Sequence, residues 1–108
     1  MKTTKYYIAT NKGFLEVNGY ECEVVYGEEK YKFGIRQESP KHWNVDCLKT
    51  GFNLVNGVPT KKEAVASITY DLMDKFESVL NNPNTLKRIK MLDNYKAGIT
   101  KAIEHALV

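Results

Sequence analysis

Apolar and polar residues alternate with a period of two through most of the first half of the chain. Tyr20, Cys22, Val24 and Tyr26 point one way while Glu21 and Glu23 point the other. Tyr31, Phe33 and Ile35 alternate with Lys32, Gly34 and Arg36, and Trp43, Val45 and Cys47 alternate with His42, Asn44 and Asp46. Each run reads as a strand with one buried face. Tyr6 to Thr10, Phe14 to Val17 and Phe52 to Val55 are shorter strand candidates. The separators carry turn chemistry: Asn11-Lys12-Gly13, Asn18-Gly19, Gly27-Glu28-Glu29, Ser39-Pro40-Lys41 and Thr50-Gly51. Asn18-Gly19 is a strong hairpin signal, because both residues tolerate positive φ.

The period then changes. Thr60-Lys61-Lys62-Glu63 is a capping box, in which the Thr60 hydroxyl accepts from the Glu63 amide. Val65, Ile68, Leu72, Phe76 and Val79 follow at helical spacing. Asn81-Asn82-Pro83 ends that helix. A second apolar stripe runs Leu86, Ile89, Leu92, Tyr95, Ile99, Ile103 and Leu107, with Gly98 weakening it.

Strands followed by helices predict an α+β domain. We expect an antiparallel meander of four to five strands followed by two helices, the first packed on the apolar sheet face. One domain covers residues 1–108, with the sheet in 1–57 and helices over 60–80 and 84–107. The opposite sheet face is polar and is expected to be solvated. With tight hairpins, its cross-strand rows are Glu21, Arg36 and His42; Glu23, Gly34 and Asn44; and Val25, Lys32 and Asp46.

The 108 residues are 43% apolar, 27% charged and 11% aromatic, an ordinary globular composition. No apolar run approaches the roughly 18–20 residues needed to span a membrane. The apolar stretch after Lys2 and Lys5 is too short for a signal peptide, which predicts a cytoplasmic chain. Sixteen basic against 13 acidic residues give +3, the wrong sign for an acidic mimic of nucleic acid. The excess is concentrated in residues 83–108, with five basic and two acidic side chains.

Four kinds of chemistry are conceivable on these residues. Catalysis has little to stand on: GxSxG, HExxH and Walker patterns are absent, and the histidines are His42 and His105 alone. His105 falls in the last turn of a helix, where a cation suits the dipole. The expectation is therefore no enzyme and no catalytic residue. A thiolate metal site is disfavoured, because Cys22 and Cys47 share parity with the core, and the expected register places them several residues apart along the strands. Glu21 and His42 could form only an incomplete zinc site, since zinc takes three or four protein ligands; no cofactor is expected, with zinc as the alternative. Nucleic-acid binding would use Lys87, Arg88, Lys90 and Lys101 on the last helix. Protein binding would use the polar sheet face, centred on Glu21, Glu23, Lys32, Arg36, His42 and Asp46.

The segment from Trp43 to Val65 reads WNVDCLKTGFNLVNGVPTKKEAV. Its W-x-V strand, T-G turn and T-K-K-E-A helix start resemble a module of small phage-encoded proteins of Gram-positive hosts. Size and lack of catalytic motifs are similar to phage anti-CRISPR proteins. Many of those are acidic mimics of DNA, and this chain departs from them in charge. The resemblance implies a non-enzymatic inhibitor that binds a host CRISPR nuclease, by direct contact or by blocking its conformational change. It carries over no catalytic residue. The alternatives are a nucleic-acid-binding accessory protein using the basic helix, and a zinc-binding form of the inhibitor.

Overall fold

The computed structural model describes residues 1–80 and 83–107, apart from the side chains of 70, 71, 79 and 99–107. Among these residues the chain forms β1 (Lys2–Thr10), β2 (Gly13–Tyr26), β3 (Glu29–Ser39), β4 (His42–Cys47), β5 (Asn53–Val58), α1 (Lys61–Ala66), α2 (Tyr70–Leu80) and α3 (Pro83–Leu107). The strands make one antiparallel meander in the order β1-β2-β3-β4-β5. The fold is α+β, as the change of period from two to 3.6 predicts. No helix among the described residues is long and apolar enough to cross a membrane.

The core lies where strand alternation places it. Phe33, Ile35 and Val45 are fully buried, and Met73 and Phe76 of α2 pack on them with Ala64 of α1. Phe76 meets the rings of Phe33 and Tyr31 at 5.3 and 5.8 Å. Thr60 caps α1 by accepting from the Glu63 amide at 3.0 Å, as the capping box predicts. Lys61 lies 3.5 Å over the Tyr20 ring, tying the start of α1 to β2.

The helix expected over 60–80 is instead two helices, broken at Ser67-Ile68-Thr69. The Ser67 hydroxyl turns back to donate to the Ala64 carbonyl, and the Thr69 hydroxyl accepts from the Leu72 amide at 3.3 Å. Short hydroxyl side chains offer the backbone partners that compete with helix continuation, and Thr69 opens the next helix as its cap. The apolar spacing survives the break, which hides it from a periodicity reading.

Asn18-Gly19 is not a turn. It lies inside the 14-residue β2, with Asn18 opposite Lys5 and Gly19 opposite Thr4. Gly19 has a different purpose. A Cβ on Gly19 would sit 2.9 Å from Cε1 of Tyr6, and one on Gly34 would sit 2.3 Å from Tyr6 Cζ. The Tyr6 ring lies across both glycines, and neither position has room for a side chain.

Tyr6 also reveals the curvature of the sheet. It belongs to β1, three places from β4 in the strand order, yet its hydroxyl touches Asp46 of β4 at 2.7 Å. A flat sheet would separate those strands by about 14 Å. The Ala9 amide donates to the Gly51 carbonyl at 2.8 Å, closing the end of β1 onto the β4–β5 loop. Gly51 has φ +76°, and a Cβ there would meet the Ala9 nitrogen at 2.9 Å. The β1–β2 ribbon therefore folds back over the polar face. That face is covered at its centre, contrary to the expectation of a solvated surface.

The register also differs from the expected rows. A tight turn sets Tyr26 opposite Glu29, which aligns Glu21 with Gly34 and Asp46, and Glu23 with Lys32. Arg36 lies opposite Asn44, while His42 sits at the strand end opposite Ser39, beyond a bulge. Cys22 and Cys47 both flank Phe33 in one row. They are level rather than offset, but both are buried free thiols on the core face.

Candidate functional site

The six residues expected to form a binding face separate into an interior and a rim. Asp46, fully buried, is the centre of the interior. Its Oδ2 accepts from the Tyr6 hydroxyl at 2.7 Å and from Arg36 Nε at 2.9 Å. Its Oδ1 accepts from Arg36 Nη2 at 3.3 Å and from Asn53 Nδ2 at 3.0 Å. A buried carboxylate is costly unless paired and hydrogen-bonded, and four donors from three side chains meet that need. Burial, and then the hydrogen bond and charge of Asp46, push the Tyr6 phenol well above its ordinary value. Burial alone would lower Arg36, but the bond and charge of Asp46 outweigh it and hold the guanidinium firmly charged.

Strand geometry brings these groups together. Asp46, Gly34 and Glu21 form one cross-strand row on the face away from the core, and Arg36 and Asn44 form the next. Because Gly34 has no side chain, Tyr6 can reach Asp46 across it. Among the described residues no buried side-chain nitrogen or oxygen lacks a partner. Above the network an open cavity of about 210 Å³ lies between Ile8, Arg36, Glu38, Asn44 and Asn56. Asn44 spans it, donating to Glu38 at 3.3 Å and accepting from the Gly57 amide at 3.0 Å.

The rim carries exchangeable charge. Glu21 pairs with Lys32 at 3.5 Å, and Glu23 with Lys30 at 3.7 Å. His42 Nε2 lies 2.9 Å from Glu38 Oε2 and 2.8 Å from Asn56 Oδ1, within hydrogen-bond reach of both oxygens. Glu21, Glu23, Lys32 and His42 can reach a partner, whereas Arg36 and Asp46 hold the platform together from inside.

The Glu21–His42 metal alternative fails on register. Glu21 is level with Asp46, four positions along β4 from His42, or about 13 Å at strand rise. Among the described residues no group of three or more potential metal ligands forms. The basic-helix set is also divided. Lys87 and Lys90 are exposed, but Arg88 packs over the Phe52 ring at 5.1 Å. The side chains of Lys101 and His105 lie outside the described residues.

Tyr6, Asn53 and Glu38 were missed as members of this face. A signal for Tyr6 was present: a glycine within an alternating strand marks a place where another group comes close, and Gly34 is one. Nothing local announces Asn53 or Glu38, which the β5 pairing and the bulge bring in. No family model, curated protein or solved structure matches the chain.

Proposed function

We propose that this chain is a non-catalytic phage protein that acts in the host cytosol. It inhibits a CRISPR nuclease by binding it through the exposed rim of the polar sheet face. The observation that carries the binding part is two ion pairs on the rim, half-buried Glu21 with exposed Lys32 and exposed Glu23 with exposed Lys30, set on the antiparallel pair β2–β3. Exposed pairs of this kind contribute roughly 0–1 kcal/mol each, so a partner's charges replace them at small cost. Complementary charge of this sort sets orientation and association rate more than raw affinity. The groups beneath the rim are engaged in the Asp46 network, which leaves the platform stiff. The choice of a nuclease as target rests on the resemblance of the Trp43–Val65 segment.

Biolayer interferometry with guide-loaded nucleases tests the reading. Wild-type chain should bind one of them, and Glu21→Lys with Glu23→Lys should weaken that binding at least tenfold, about 1.4 kcal/mol. The circular dichroism spectrum and melting transition should stay unchanged. Equal binding by the charge-reversed protein would remove this rim from the interface.

A further inference from the structure

We propose that the fork where β2 parts from β3 is a binding site for a nucleobase carrying a phosphate. The register creates the fork. β2 and β3 pair from Tyr26↔Glu29 as far as Tyr20↔Ile35 and no further. Beyond that point β2 continues with β1 alone, and β3 with β4 alone. The Tyr6–Asp46 bond draws the β1–β2 ribbon over the polar face, so side chains on the opposite, convex face spread apart. An open cleft of about 520 Å³ lies there, within the roughly 300–1,000 Å³ range of small-molecule sites.

Strand parity fixes which side chains face it. Thr3 stands opposite Tyr20 and Lys5 opposite Asn18 across β1–β2, while Gln37 stands opposite Trp43 across β3–β4. Asn18 and Tyr20 are two positions apart, as are Ile35 and Gln37, and the Tyr20↔Ile35 pair joins the two sets. All six therefore project from one face and line one cleft.

The lining combines three chemistries. The half-buried rings of Tyr20 and Trp43 lie 6.4 Å apart, tilted by 33°, and form an apolar wall. Asn18 and Gln37 are exposed, and their amides make no side-chain hydrogen bond among the described residues. Each amide sets a donor beside an acceptor, the pattern that matches the edge of a base. The cations are Lys5 in the lining and Lys61, whose ammonium sits 3.5 Å over the Tyr20 ring. Neither pairs with a carboxylate among the described residues, and no acid among them lines the cleft.

These features select a base with a phosphate attached. Lys61 occupies one face of Tyr20, so the base lies against Trp43, where stacking tolerates any base. The amides bond its edge, and a lysine receives the phosphate as a point charge. A neutral sugar would use neither ammonium. The cleft opens on the sheet face opposite Glu21 and Glu23, so it stands or falls separately from the inhibitor reading.

Trp43 is the chain's single tryptophan, so a base stacked on it quenches the protein's entire indole emission. Adenosine monophosphate and an oligodeoxyadenylate are titrated into the full chain at low ionic strength, with N-acetyltryptophanamide as the blank. Saturable quenching with one site per chain is expected. Tighter binding of the oligonucleotide would assign single-stranded nucleic acid as the source of the base; equal or weaker binding would assign a free nucleotide. Lys5→Glu, and separately Asn18→Ala with Gln37→Ala, should each weaken binding at least about tenfold. Adenosine should bind more weakly than its monophosphate, and ribose phosphate should not quench. Absence of quenching by both nucleotides, equal quenching by ribose phosphate or maltose, or equal binding of adenosine and its monophosphate would overturn the proposal. So would unchanged binding by either variant in a chain that keeps its circular dichroism spectrum.

Discussion

Gly34→Ala tests how the curled sheet is held together. A Cβ at position 34 would lie 2.3 Å from Tyr6 Cζ and 2.6 and 2.7 Å from Cε1 and Cε2. Carbon atoms settle at about 3.5–4.0 Å, so the ring must retreat by about 1.2–1.7 Å. The Tyr6–Asp46 bond, 2.7 Å long, does not survive that shift. Losing a hydrogen bond to a charged group costs about 1.5–3 kcal/mol. Partial loss of aromatic burial adds to it, and about 3–5 kcal/mol in all is a large share of a domain's stability. The decisive comparison is a double-mutant cycle with Tyr6→Ala. Once the ring is gone, the added methyl group meets no Tyr6 ring atom, and alanine is favoured over glycine in a strand by about 0.5–1 kcal/mol. Gly34→Ala should then be neutral or slightly stabilising, giving a coupling energy of about 3 kcal/mol or more. Gly19→Ala is the control. Its Cβ would press on the Ile35 carbonyl at 2.6 Å, and removing Tyr6 does not relieve a backbone clash. Urea unfolding followed by circular dichroism supplies each free energy. If Gly34→Ala fails to fold, the double variant with Tyr6→Ala should fold better than it does. A cost unchanged by Tyr6→Ala would refute the idea that Tyr6 lies over Gly34 as a lid.

Three further outcomes are expected. Tyr6→Phe should lose about 1.5–3 kcal/mol at neutral pH. The folded state holds the Tyr6 proton above the ordinary phenol value near 10, so its contribution is complete below pH 10 and declines above it by up to about 1.4 kcal/mol per pH unit. The stability gap between wild type and Tyr6→Phe should therefore narrow between pH 10 and about 11.5 in urea titrations, the remaining tyrosines cancelling in the comparison; a constant gap would contradict the Tyr6–Asp46 bond. Thr60→Ala removes the acceptor for the Glu63 amide and should lower stability by about 0.5–2 kcal/mol, whereas Thr60→Asn should keep most of it, as thermal melts would report. Lys41 holds φ +60° in the β3–β4 turn, where a side chain costs about 1–2 kcal/mol, so Lys41→Gly should raise the melting temperature after its own entropy cost is subtracted.

The elements visible in the sequence are those set by local chemistry. Alternation from Tyr20 to Cys47 places Phe33, Ile35 and Val45 in the core, and the Thr60–Glu63 spacing marks the start of α1. Two misreadings share one cause, because a local signal had a second physical use. Asn18-Gly19 reads as a turn until Tyr6 is seen to need the space above Gly19. Ser67 and Thr69 look like tolerable interior positions until their hydroxyls serve as the end of one helix and the cap of the next. Of the candidate site, the residue types on the polar face were legible and their rows were not. Turn length and a bulge set the register, and a shift of two positions moved Glu21 from Arg36 to Gly34. The burial of Asp46 was not legible, because it depends on a tyrosine 40 residues away reaching across a glycine.

The measurement closest to the proposed function is a cleavage titration. Increasing amounts of the chain are added to guide-loaded CRISPR nucleases of several types, and cutting of target DNA is followed with and without a zinc-selective chelator. The expected result is loss of cleavage by one nuclease, complete near equimolar protein, unaffected by the chelator and relieved by Glu21→Lys with Glu23→Lys. Full cleavage by every nuclease at a large molar excess would contradict it.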